Sequence, residues 1–215
     1  MRTATLIGLV ALVACNKSDA PRVSVDEEFK LGVLAENEKP PDYMKARQHY
    51  TPACNAKHWP SCAMLGLLFK RGLGGPQDEA KSVELFRDGC TAGDMHSCSN
   101  LGVAYSEGAG IAQDHAKALE HLTRACTGTY ARACTNLGMA HARGLGVTVD
   151  KAKALEWYLK GCEMNEANAC AIAGGYLAEG TDVPKDEARA AELLKKACSL
   201  GDERSCPPKA PIAPQ

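Results

Sequence analysis

The 215-residue chain carries 25 Lys+Arg against 26 Asp+Glu, is 45% hydrophobic and 5% aromatic, and contains eleven cysteines. A net charge of -1 gives no electrostatic footprint for nucleic acid, and the hydrophobic and charged fractions are those of a globular protein rather than a disordered one. Eleven cysteines are many for a reducing compartment, and the odd number leaves one without a partner.

In chain order, residues 1–14 (MRTATLIGLVALVA) join a basic Arg2 to a short apolar run, the pattern of a secretory signal, too short to span a bilayer as a helix. The run closes on Leu12-Val13-Ala14-Cys15, which resembles a bacterial lipobox; the resemblance implies acylation of Cys15 and, with Asn16 following, sorting to the outer membrane. Residues 16–26 (NKSDAPRVSVD) are polar and aperiodic, so residues 15–26 are expected to be an acylated cysteine and its tether. At the other end, residues 207–215 hold four prolines in nine residues and are expected to be an extended tail.

The remaining ten cysteines stand at 54, 62, 90, 98, 126, 134, 162, 170, 198 and 206, with gaps alternating between eight and twenty-eight. This is a 36-residue repeat, divided here into units 27–62, 63–98, 99–134, 135–170 and 171–206. Asp42, Asp78, Asp114, Asp150 and Asp186 share one column; Gly66, Gly102, Gly138 and Gly174 share a second; Gly72, Gly108, Gly144 and Gly180 share a third. The first unit departs at both glycine columns, with Lys30 and Glu36, as a worn repeat or a cap would.

Each unit is expected to form two helices. The first, such as 99–107, stops at a glycine suited to the left-handed C′ position, and the column aspartate caps the second. The second helix is expected to bury Ala116, Leu119, Leu122 and Cys126, with Ala80, Val83, Phe86 and Cys90 or Ala188, Ala191, Leu194 and Cys198 as counterparts. Such pairs have no core alone and must stack, so the fold class is an all-α solenoid.

Each C-x7-C straddles the turn from one unit's second helix to the next unit's first, where an antiparallel hairpin brings two Cα atoms within disulfide range. The expected pairs are Cys54–Cys62, Cys90–Cys98, Cys126–Cys134, Cys162–Cys170 and Cys198–Cys206. Zinc and redox readings are disfavoured: neither C-x2-C spacing nor a recurrent histidine is present. No cofactor or metal is expected.

The pattern carried by Leu101-Gly102, Tyr105, Gly108, Gly110, Asp114 and Lys117-Ala118, and repeated by Leu137-Gly138, Gly144, Gly146-Val147, Asp150 and Lys153-Ala154, resembles Sel1-like repeats. Paired cysteines in every unit are similar to the Helicobacter cysteine-rich protein group of that family. The resemblance implies a TPR-like right-handed α/α superhelix with one disulfide per repeat, acting as a protein- or peptide-binding scaffold. Two departures are His141 at an aromatic column, expected to alter packing slightly, and Asp182 at a loop glycine, expected to change the bend.

The expected groove lies on the first helices: Met64, Leu67 and Arg71; Asn100, Val103 and Glu107; Asn136, Met139 and Arg143; Ile172, Gly175 and Glu179. Its mixture of apolar centres, amides and charges suits an extended peptide. The partner is therefore expected to be a protein or peptide of the cell envelope, with membrane contact through the lipid anchor only and no nucleic acid. The same resemblance offers an enzymatic alternative, a penicillin-binding or β-lactamase-like hydrolase. No serine has lysine three residues on, neither S-D-N nor K-T-G occurs, and no catalytic residue is assigned. His115 and His121 read as a surface pair rather than metal ligands.

Overall fold

The computed structural model describes residues 23–207; the expected signal segment 1–14, Cys15 and the tail beyond Pro207 lie outside them. The described chain is all helical. Ten α-helices follow in order: α1 (Val25–Glu36), α2 (Tyr43–Asn55), α3 (Trp59–Arg71), α4 (Glu79–Thr91), α5 (Met95–Glu107), α6 (His115–Thr127), α7 (Ala131–Arg143), α8 (Lys151–Glu163), α9 (Ala167–Glu179) and α10 (Glu187–Ser199), then a 3-10 turn over Glu203–Ser205. Ser24 caps α1, so the last residues of the expected tether, Val25 and Asp26, are helical.

The hairpin inside each unit is closed by its aspartate from two sides. The carboxylates of Asp42, Asp78, Asp114, Asp150 and Asp186 accept from the backbone N–H three residues on, at 2.8–3.0 Å. These bonds satisfy N–H groups that the helix leaves free. The aspartates' own N–H groups donate back across the loop, to the carbonyls of Ala35, Phe69, Tyr105, His141 and Leu177, each at 2.9 Å. First helices end on Gly72, Gly108, Gly144 and Gly180 at φ between 65 and 74°, a conformation open to glycine at little cost.

The other glycine column is a place of close approach. A Cβ on Gly66, Gly102, Gly138 or Gly174 would collide with Phe86, Leu122, Tyr158 or Leu194 of the paired helix. Phe86 and Tyr158 are thereby sealed from solvent at 0% and 2% exposure, each burial contributing about 2–3 kcal/mol. The first unit keeps this device, displaced by two residues: Gly32 meets Tyr50, and Asp42 closes onto Ala35 rather than onto a residue nine back. Its loop side is two residues shorter, which is why the 36-residue ruler finds Lys30 where a glycine belongs.

The stripe expected on the second helices needs correction. Ala80, Ala116, Ala188 and Ala191 are exposed, and Ser82, Ala118 and Ala190 are buried instead. The buried face of α6 is Ala118, Leu122, Ala125 and Cys126. The alanine column was placed half a turn too early because helical spacing alone does not choose between neighbouring stripes in an alanine-rich helix.

All five expected disulfides are formed, with Cα–Cα separations of 4.4–4.9 Å. Each clamps a turn in which one residue takes a left-handed conformation: Lys57, Gly93, Thr129, Asn165 and Gly201. At Thr129 (φ 72°) a β-branched side chain bears that strain, which the hairpin on either side holds in place. Helix pairs stack through these turns. First helices also approach one another backbone to backbone, α3 to α5, α5 to α7 and α7 to α9, while second helices reach their counterparts through side chains, as His121 and Arg124 of α6 reach Cys90 of α4. The first helices therefore make the inner layer of a curved stack.

Candidate functional site

The proposed groove residues recur every 36 positions on the inner helices, so they run along one strip. The structure divides the strip into separate depressions. Val103, Glu107, Asn136, Met139 and Arg143 line one cavity of about 270 Å³ between α5, α6 and α7. Met64, Leu67 and Arg71 line a second, of about 220 Å³, together with Glu36 and Asn37 at the end of the first hairpin. Glu179 borders a small cleft of about 60 Å³ with Lys151, Tyr176 and Asp182. Ile172 packs with Met139 against the Ala154–Tyr158–Ala173 cluster and contributes to the wall rather than to a cavity. Asn100 lines none of these; its amide nitrogen is buried without a hydrogen-bond partner. Around Gly175 the space is open.

The central cavity has an apolar floor and a polar rim. Ala118, Leu119 and Leu122 of α6 and Leu145 of the following loop join the inner-helix residues, and His115 enters from the first turn of α6. These second-helix contributions were missed by assigning the groove to first helices alone. A usable signal was the short loop, which brings the start of each second helix beside the end of its first. His115 and His121 do not act as a pair. His115 borders the cavity with a buried, unpartnered Nδ1. His121 stacks on Tyr105 at 2° between planes and sits 3.8 Å from the Cys90 sulfur.

Among the described residues one of the four charged groups of the strip, Glu107, is held in an ion pair, with Lys70 of the neighbouring inner helix at 2.6 Å. No ion-pair partner within 4 Å faces Arg143 among the described residues, which leaves one positive group over the central cavity. In the neighbouring depression burial pushes the Glu36 carboxyl up, and Arg71 nearby pulls partly against it. Among the described residues no group of three His, Cys, Asp or Glu side chains has the placement to hold a metal ion.

The expected departures are both visible. His141 is buried at 8% exposure, and burial chiefly, with Lys153 adding to it, pushes its imidazole pKa down. Gly74, Gly110 and Gly146 adopt positive φ where their loops lie against the first residues of α2, α4 and α6; Asp182 does not, and bonds Lys151 at the start of α8 at 2.8 Å.

This unit geometry is matched by one family along most of the chain. The Sel1 repeat family matches residues 28–58, 59–94, 96–130, 131–166 and 167–202. The chain is a Sel1-repeat protein. Those repeats begin near the inner helix of each pair, a different origin on the same ruler. Among solved structures, a Sel1 repeat protein from Oxalobacter formigenes is 23% identical with a TM-score of 0.73, covering 85% of this chain and 76% of that one. The protective antigen c5321 of uropathogenic Escherichia coli is 25% identical with a TM-score of 0.64; the match covers 85% of this chain and 40% of the antigen. Cysteine-rich protein B of Helicobacter pylori is 30% identical with a TM-score of 0.50, over 60% of this chain and 93% of that one. No curated protein matches the chain. The five disulfides suggest an extracytoplasmic location, and no described helix is long and apolar enough to cross a membrane.

Proposed function

We propose that this Sel1-repeat protein is a binding scaffold of the bacterial cell envelope, tethered by an acylated Cys15 at the outer membrane, that holds an extended protein or peptide segment along its inner layer. Sel1-repeat proteins generally mediate protein–protein interactions. The observation that carries the reading here is the central cavity. Its floor of Val103, Leu119, Leu122 and Met139 accepts an apolar side chain, and its rim presents Asn136, His115 and the unpaired Arg143 to a peptide backbone or an acidic neighbour. Strip columns on adjacent inner helices continue on both sides, so one extended segment crosses several units, about every third residue reaching the next helix.

The test is affinity capture from envelope extracts with the mature protein and with three variants. Met139→Glu and Asn136→Ala are expected to lose the bound partner, while Glu192→Ala, on an exposed position of α10, retains it. Equal capture by all three overturns the groove assignment. Incorporation of labelled fatty acid by the full chain, absent in Cys15→Ser, tests the anchor separately.

A further inference from the structure

The five disulfides share one place in the repeat but not one environment. The next unit's second helix covers each of the first four through two columns. One column holds Leu85, His121, Trp157 and Leu193; the other holds Asp88, Arg124, Lys160 and Lys196. His121 Nδ1 and the Arg124 guanidinium each lie 3.8 Å from the Cys90 sulfur. Trp157 packs on the cluster containing Cys126 and Cys134, and Lys196 donates to the Cys162 carbonyl at 2.7 Å. These three disulfides are sealed, with every cysteine at 2% exposure or less.

Over Cys54–Cys62 the cover is a leucine and an aspartate. Leu85 packs there, but the short Asp88 makes no such bond, and a cavity of about 360 Å³ opens onto both cysteines with Trp59 on its wall. Cys54 is 9% exposed against 2% for Cys62. We infer that Cys54–Cys62 is a thiol-exchange site, opened by this cavity to low-molecular-weight thiols.

A small thiol gives its proton to solvent and attacks the Cys54 sulfur as thiolate. The Cys54–Cys62 bond breaks, a mixed disulfide forms on Cys54, and Cys62 leaves as thiolate. That thiolate sits in the first turn of α3, where the helix terminus favours negative charge, and takes a proton from water. A second thiol attacking the adduct returns Cys54 to the thiol and carries away the oxidised dimer of the reagent. Lys57, Lys81 and Asp88 line the cavity, and Lys81 is paired with Glu84 at 2.7 Å. Cys198–Cys206 is also partly exposed, at the edge of the stack beside Asp202 and Glu203, and serves as the freely open reference.

The experiment treats the full chain with glutathione, traps free thiols by alkylation at timed intervals, and maps the peptides without reduction. The adduct is expected on Cys54, with Cys54–Cys62 opening at least about tenfold faster than the three sealed disulfides. Leu85→Trp, which copies the residue unit four uses in this column, is expected to slow that site about tenfold and to leave Cys198–Cys206 unchanged. The double variant His121→Leu/Arg124→Asp copies the converse, the Leu85 and Asp88 cover, and is expected to make Cys90–Cys98 reactive even should the tryptophan variant fold poorly. Opening of Cys54–Cys62 no faster than Cys90–Cys98 overturns the assignment. So does a folded Leu85→Trp with unchanged kinetics, or an unreactive Cys90–Cys98 in a folded His121→Leu/Arg124→Asp. The outcome is read at the sulfurs, independently of any groove partner.

Discussion

The inner and outer layers of the stack are built from helices of almost equal length, yet they are held differently. Inner helices touch their own partner and the helix across the turn, and from α3 onward approach the next inner helix backbone to backbone, whereas outer helices reach their counterparts through long side chains such as His121, Arg124 and Lys196. The inner layer consequently has its small side chains where another helix presses, at Gly66, Gly102, Gly138 and Gly174, and the outer layer supplies the large groups that press. Continuity belongs to one layer and bulk to the other. A surface that must present a strip of repeated columns to a long ligand is better made from the continuous layer.

Gly138→Val strikes this division where it is tightest, since the new branch meets the Tyr158 ring. A loss of about 3 kcal/mol is expected in denaturant unfolding, larger than for valine at the open Gly175. Next comes the clamp between layers. Replacing Cys90 and Cys98 together by serine removes an eight-residue link, for an expected loss of about 2.5 kcal/mol on the chain-entropy estimate. Asp114→Ala removes one cap of an outer helix and is expected to cost about 1 kcal/mol, with Asn at the same position retaining most of it.

The smallest effect concerns pH. Burial pushes the pKa values of His96, His121 and His141 down, so the unfolded chain takes up protons more readily than the folded one. Stability is therefore full above the unfolded value of about 6.5 and declines as pH falls through it toward the lower folded values. His141→Tyr, restoring the aromatic of the column, is expected to flatten part of that decline in thermal unfolding measured between pH 7 and pH 5.

The aspartate column shows how legible local chemistry is. A carboxylate before a helix acts within three residues, and all five caps were readable from spacing. The disulfides were legible for a related reason: a hairpin turn leaves each cysteine one partner within reach. Ala116 and His115 show the opposite. One was expected in the core and is exposed; the other was expected on the surface and borders the central cavity. Both lie in the first turn of α6, where the helix axis decides which side faces the stack, and that axis is set by the preceding helix and loop. Gly32 belongs with them, since a two-residue shortening of the loop conceals its column from any fixed ruler while leaving its packing intact.

Periodicity, caps, turns and disulfide pairing were thus determined by the sequence alone, because each depends on groups a few residues apart. The depth and division of the inner-layer cavities, the unpartnered His115 Nδ1 beside one of them and the unequal cover over five chemically identical disulfides were decided only by the tertiary structure. They depend on residues about one unit apart meeting across a helix interface, and at that distance an identical column contributes a different neighbour in each repeat.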